Sequence, residues 1–260
     1  RVAIRRGAGT NIGMTQVARA APDGYTVGLA SIAANAANKW LYRNMPFDPE
    51  RDFAAVGIIG LVPNIVVIPP AVPAHTLPDF IAWARAQNRP INFGSVGAGS
   101  SQHLAGSQFQ MITGLPMQHL PYTNSGQMNT DLMEGRIDML FQSISAVTQL
   151  AQAGRMRPIA VSGAERVVAF PDLPTMREQG IDIVSTGWFG LCTPAGVPEP
   201  ILARLETELL AVMDEPALQA RIIAGGAVPR RMGRTEFAEF MAAESARWRL
   251  VIQAVGATAD

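Results

Sequence analysis

Cysteine, histidine and lysine are all scarce in this chain of 260 residues, and each shortage closes off a chemistry. Cys192 stands alone, so no disulfide framework and no thiolate metal site can form within the chain. The three histidines, His75, His103 and His119, make no His-x-x-x-His pair, and no acidic cluster has the spacing of a calcium loop. No metal and no cofactor are therefore expected. Lys39 is the single lysine, and no Gly-Lys-Ser/Thr sequence builds a phosphate loop. Lys+Arg 21 balances Asp+Glu 21, and the basic residues are scattered without interleaved aromatics, which argues against nucleic acid. No apolar run nears the roughly 20 residues of a membrane span. The opening Arg1-Val2-Ala3-Ile4-Arg5-Arg6 is not a signal peptide, because no apolar core or small-residue cleavage site follows it.

What is present describes a packed globule: 48% apolar and 16% charged residues, enough chain for one large or two modest domains. Short apolar strands alternate with short helices through the first two thirds. Val2–Ile4, Tyr25–Ala30, Phe53–Ile59, Asn64–Ile68, Met117–Pro121, Ile137–Phe141 and Arg157–Val161 read as strands. Asn11 is expected to cap a helix running to Ala21, and Thr76 with Asp79 gives a capping-box signature for Leu77–Gln87. Further helices are expected over Gln127–Glu134 and Ser145–Ala153. After Trp188–Pro194 the pattern turns helical, with a long apolar face from Phe237 to Val255 ending near Gly256. This alternation implies an α/β fold with largely parallel sheets flanked by helices.

The most informative stretch runs from Ile91 to Gly106. It reads as a strand, a glycine and serine loop, and a helix beginning at Ser101. Gly94, Gly97 and Gly99 allow sharp turns and close approach of a ligand, while Ser95, Ser100 and Ser101 bring hydroxyls. The free N–H groups at a helix start add donors and the positive end of the dipole. Such a loop is suited to a carboxylate or phosphate, although glycine turns also serve purely as helix caps. The spacing departs from the dinucleotide fingerprint, because Gln102 stands where its third glycine would be.

Catalytic machinery is thin. There is no Gly-x-Ser-x-Gly elbow, and the sequence places no base beside a candidate nucleophile. His103, on the first helical turn, is a possible donor to an anion, whereas His75 and His119 read as structural. The acids of Asp48–Asp52 read as a solvated loop, and Asp138 as a strand-edge group. Small neutral donors instead recur after strands: Ser31 and Asn35, Ser95–Ser101, Thr123–Ser125 and Gln142-Ser143. Ligands of open α/β sheets sit outside the carboxyl ends of strands, so this pattern points to binding.

Several motifs then occur in a fixed order: Gly7-Ala8-Gly9-Thr10-Asn11, Ala21-Pro22-Asp23-Gly24-Tyr25, Met45-Pro46-Phe47-Asp48-Pro49, Gly94-Ser95 through Gly106, Leu120-Pro121-Tyr122, Phe170-Pro171-Asp172-Leu173-Pro174 and Trp188-Phe189-Gly190. Over nearly its whole length the chain resembles the Bug family, the extracytoplasmic solute-binding proteins of tripartite tricarboxylate transporters. The resemblance implies a two-domain, periplasmic-binding-protein type II-like fold closing on a small carboxylate. Its site would comprise Ser95, Gly97, Gly99, Ser100 and Ser101, with Ser31, Tyr122 and Thr123 as neighbours. Gln142 stands where many relatives carry an aspartate that meets a ligand amine, and Arg6 where the family has proline. The family's signal peptide, first strand, first ligand loop and first helix precede the point where this sequence starts, so an unstable, weakly binding truncated form is expected.

The sequence reading is thus a non-enzymatic, periplasmic binding protein for a small organic carboxylate, a monomer whose partners are membrane transporter subunits. Its domains are expected at 1–68 plus 192–260 and at 69–191, with the anion site between them. The rivals are an orphan binding protein that presents its ligand to a sensor, and a small-molecule transferase on a similar scaffold.

Overall fold

The computed structural model describes residues 2–5 and 7–259. Arg6, expected to affect only a turn, lies outside the described residues. Along the chain come α1 (Asn11–Ala18), β1 (Gly28–Ser31), a five-residue π-helix (Ala33–Ala37), α2 (Asn38–Leu41), β2 (Phe53–Ile68), α3 (Leu77–Arg85), β3 (Ile91–Ser95) and α4 (Ser101–Thr113). They are followed by β4 (Met117–Pro121), α5 (Ser125–Met133), β5 (Met139–Ser143), α6 (Ile144–Gln152) and β6 (Arg157–Val161). The order ends with β7 (Thr186–Pro194), α7 (Glu199–Met213), α8 (Pro216–Ala224), β8 (Val228–Met232) and α9 (Arg234–Val255).

The chain forms two compact units, residues 1–61 with 188–260 and residues 62–187. The boundaries fall inside β2 and β7, earlier than the expected 68/69 and 191/192. The reason is that Phe53–Ile59 and Asn64–Ile68, read as two strands, are one strand of 16 residues. Gly60 and Pro63 punctuate its sequence without breaking it.

In the first unit β7 lies between β1 and β2, and β8 pairs with β2. The β1–β7 and β2–β8 ladders are antiparallel. The sequence did not signal β8, whose Val-Pro-Arg-Arg-Met run has no apolar alternation and lies on a sheet edge. Val2–Ile4 is not a strand: it pairs with nothing among the described residues, and Val2 and Ile4 are exposed. Asn11 is the first helical residue and no cap, because its Oδ1 accepts from Asn38 Nδ2 at 2.7 Å. Cys192, opposite Gly28 in the ladder, is buried, and burial pushes its thiol up to about 12.

The 22-residue α9 covers this sheet with Phe237, Trp248, Val251 and Ile252, which recur at helical spacing and are buried. Trp188 of β7 meets Phe237 and Phe240 edge to face, each with ring centroids 5.6 Å apart. One carboxylate oxygen, Glu244 Oε2, accepts both indole N–H groups of Trp188 and Trp248 at 3.1 Å. That is how two buried tryptophans satisfy their polar atoms here.

In the second unit β2 is the strand around which the core divides. Asn64–Val67 pairs antiparallel with β5 on one edge, and Ile65–Ile68 pairs antiparallel with β6 on the other. Beyond β5 lie β3 and then β4, both parallel pairings. Parallel pairing is therefore confined, among the ladders described, to β3 with β4 and β5. The sheets are mixed, with more antiparallel pairing among the ladders described than expected, because the long β2 runs against the direction of its neighbours. Val66 and Ile68 face Phe80, Phe93, Phe109 and Phe141, while Ile65 and Val67 face Met128, Leu132, Leu140 and Val147. Burial on both faces explains the unbroken Ile65–Ile68 run.

Local signals were sharper. The capping box at Thr76 and Asp79 is formed, and α9 stops at Gly256 with φ 62°. The Pro-rich connector is clasped by Arg157, whose guanidinium donates to the carbonyls of Pro70, Val72 and Ala74 at 2.9, 2.5 and 2.9 Å. Arg89 holds Asp138 through two bonds of 2.7 Å, and Asp138 also accepts from Asn92 N.

Glu244→Ala would strand two indole donors in the core, at about 1–3 kcal/mol each. Urea unfolding followed by tryptophan fluorescence should show a loss of about 3 kcal/mol or more. Glu244→Gln, which keeps an acceptor, should lose less.

Candidate functional site

The loop between β3 and α4 gets its shape from three local causes. Gly97 and Gly99 adopt φ of 122° and 79°, which L side chains rarely tolerate. Ser100 is the N-cap of α4: its Oγ accepts from His103 N at 3.2 Å and donates to Gly97 O at 2.7 Å. Gly106 lets α4 lie directly on β3, because a Cβ there would stand 2.2 Å from the Phe93 ring.

Most of the polar groups expected to face a ligand are spent on the protein. Ser95 is fully buried; its Oγ lies 2.6 Å from His119 Nε2 and 3.1 Å from both Gly97 N and Gly97 O. His103 is buried and accepts the Gly99 N–H on Nδ1 at 3.2 Å, so it does not point a donor at an anion from that atom. Tyr122 donates its hydroxyl proton to Asp131 Oδ2 at 2.7 Å, and its backbone N–H goes to Ser95 O. Burial, then the Asp131 carboxylate, pushes that phenol up to about 12. Gln142 is buried, with its Oε1 accepting from Gln102 Nε2 and Ser143 N and its Nε2 donating to Asn129 Oδ1. For Ser95, Ser100, His103, Tyr122 and Gln142 the side-chain groups expected at a ligand are thus hydrogen-bonded within the protein. Ser95, His103 and Gln142 are buried and so take partners within the protein, whereas the partly exposed Ser100 and Tyr122 do so as a helix cap and through Asp131.

What remains unspent is compact. Val96, Gly97, Gly99, Ser100 and His103 all have hydrogen-bonded N–H groups. Ala98 N, Ser101 N, Gln102 N and the Ser101 hydroxyl make no intramolecular hydrogen bond among the described residues. Thr123, exposed ahead of α5, likewise keeps its hydroxyl free. The free donors of the loop therefore lie at the start of a 13-residue helix, where the dipole favours an anion. Ser31 belongs to the other unit, at the end of β1; its Oγ accepts from Ala34 N at 3.4 Å and its N–H goes to Asn35 Oδ1.

Two features escaped the sequence reading. One is the Gln102–Gln142–Asn129 chain of amides, since Gln102 was noted only for not being glycine. The other is a histidine beside a serine: His119, expected to be structural, lies 2.6 Å from Ser95 Oγ, a pairing that the sequence spacing does not show. Ser95 has no exposed surface for a substrate, so the pair is a buried contact and no nucleophile. The His119 and His103 rings lie 4.1 Å apart and tilted, with Phe93 tilted against His119 at 5.1 Å. Burial pulls His103 down to about 3, with His119 adding to the effect, and pulls His119 down to about 4. No group of three or more His, Cys, Asp or Glu residues suited to a metal occurs among the described residues, and no described helix is long and apolar enough to cross a membrane.

A family model for the tripartite tricarboxylate transporter family receptor matches residues 2–257. The chain belongs to that family. BugT of Bordetella pertussis is 31% identical over 255 residues, covering 97% of this chain and 78% of BugT. A UPF0065 protein of Agrobacterium vitis is 32% identical over 229 residues, and there the match covers 86% of this chain and 64% of the relative. Among solved structures, R. palustris Rpa4515 with adipate superposes with a TM-score of 0.86 at 32% identity, covering 96% of this chain and 85% of that one. The α/β fold of the receptor family is thus the fold of this chain.

Two outcomes follow for the loop. An unfolded histidine takes a proton below about pH 6.5, whereas the folded pair refuses it until about pH 4, so stability is full above pH 6.5 and falls between 6.5 and 4. Urea midpoints at pH 7.5 and 5.0 should differ in that sense, and His103→Asn should narrow the difference. Ser100→Ala removes the α4 cap and should cost about 1 kcal/mol in the same assay.

Proposed function

We propose that this receptor-family protein captures a small organic carboxylate outside the cytoplasm and hands it to the membrane subunits of a tripartite tricarboxylate-type transporter. The observation that carries the ligand class is the set of unspent donors at the start of α4: three N–H groups and the Ser101 hydroxyl, with no charged side chain among them. Neutral donors on a helix start suit an anion that must be released again, because charge-assisted bonds from N–H groups bind it without a buried cation to desolvate. Family membership and the adipate in Rpa4515 support the same class. Gln142, an amide and no carboxylate, supports a solute without an amino group. A periplasmic location and a non-catalytic role agree with the buried Ser95 and with the family.

Isothermal titration with the diacids from malonate to adipate, and with adipamide as the uncharged control, tests the reading. At least one diacid should bind and raise the melting temperature, since a ligand of the native state stabilises it by mass action. Ser101→Ala should weaken that diacid about fivefold, the worth of one hydrogen bond of about 1 kcal/mol. Adipamide binding as tightly as adipate, or silence from every diacid, would overturn it.

A further inference from the structure

The side chains of Gln102 and His103 both reach back from the first turn of α4 into the loop that precedes it. Gln102 Oε1 takes the Val96 N–H at 2.8 Å, and His103 Nδ1 takes the Gly99 N–H at 3.2 Å. We propose that these two residues are positioning residues of the anion site: they withdraw Val96 and Gly99 from it and leave Ala98, Ser101 and Gln102 to present their N–H groups to a carboxylate. The inference rests on the carboxylate-binding reading above and adds the residues that shape its site.

Each orientation is forced. Ser143 N–H donates to Gln142 Oε1 at 2.8 Å, which fixes the oxygen of that amide. Gln142 Oε1 then accepts only a donor, so Gln102 turns Nε2 toward it, at 2.7 Å, and Oε1 toward Val96. A flipped Gln102 would set oxygen against oxygen and N–H against N–H. The far end is closed by Gln142 Nε2 donating to Asn129 Oδ1 at 2.8 Å. Gln102 and Gln142 are 6% and 1% exposed, so the amides have no solvent to turn to.

His103 follows the same logic. Accepting on Nδ1 requires the neutral ring with its proton on Nε2; a proton on Nδ1 would face the Gly99 N–H. The ring is tilted against His119 at 4.1 Å and stacks on Phe93 at 6.5 Å. Both residues contribute dipoles and no charge, so the loop is shaped without placing a cation or an anion beside the bound carboxylate.

The test separates positioning from packing. Adipate affinity is measured by calorimetry for the wild type, His103→Leu, His103→Asn and Gln102→Met, with urea unfolding of each. Leu fills space and accepts nothing, whereas the Asn oxygen can take the Gly99 N–H. His103→Leu and Gln102→Met should each lose tenfold or more in affinity, and His103→Asn should recover most of it although its stability is no better than that of the Leu variant. The long-range imidazole nitrogen spectrum of the wild type should show His103 with its proton on Nε2, free and bound. Equal affinities for the Leu variant and the wild type, equal losses in Asn and Leu, or a proton on Nδ1 would each overturn the proposal. If the wild type binds no diacid, the functional reading fails on its own, and the tautomer still decides whether His103 holds the loop.

Discussion

The close approach of α4 to β3 is the contact on which the rest of the second unit depends. It exists because Gly106 leaves room for the Phe93 ring, which a single methyl group would strike. With the helix seated there, its first turn follows the end of β3 after a connecting turn of five residues, Val96–Ser100. His103 falls beside Phe93, and Gln102 falls within reach of β5. A helix displaced by even the radius of a methyl group would carry both side chains away from the loop that they hold. Interiors are packed too densely to absorb such a shift quietly.

Much of the fold was legible because its signals are local. The strand Met117–Pro121 and the start of α4 at Ser101 agree with apolar patterning and capping residues that operate over a few positions. The strand sense was not legible, since it depends on β2 running through both units, and Gly60 and Pro63 disguise that continuity. β8 was hidden for a different reason: an edge strand of arginines satisfies its backbone without an apolar stripe.

The site divides along the same line. The glycines, the serine hydroxyls and the helix start at Ser101 could be seen from spacing alone. Which hydroxyl remains free could not, because that depends on partners distant in sequence: His119 for Ser95, Asp131 for Tyr122, and Gln102 with Asn129 for Gln142. Sequence composition shows how many donors a loop owns. Only the packed structure shows how many it has left. The loss of the third glycine at Gln102 is the instructive case, since a departure from a nucleotide motif turns out to supply a side chain that organises the turn.

Cys192 has a practical consequence. Its thiol is buried in the β1–β7 ladder and held near 12, so at neutral pH it offers almost no thiolate to an alkylating reagent. Cys192 should thus react slowly with maleimide dyes and nitroxides, so that it need not be substituted. A cysteine introduced at Tyr25, which is 94% exposed in the first unit, and another at Val168, 81% exposed in the second, would be the reactive positions. A spin or fluorophore pair placed there would read the distance between the two units directly, with and without a carboxylate in solution.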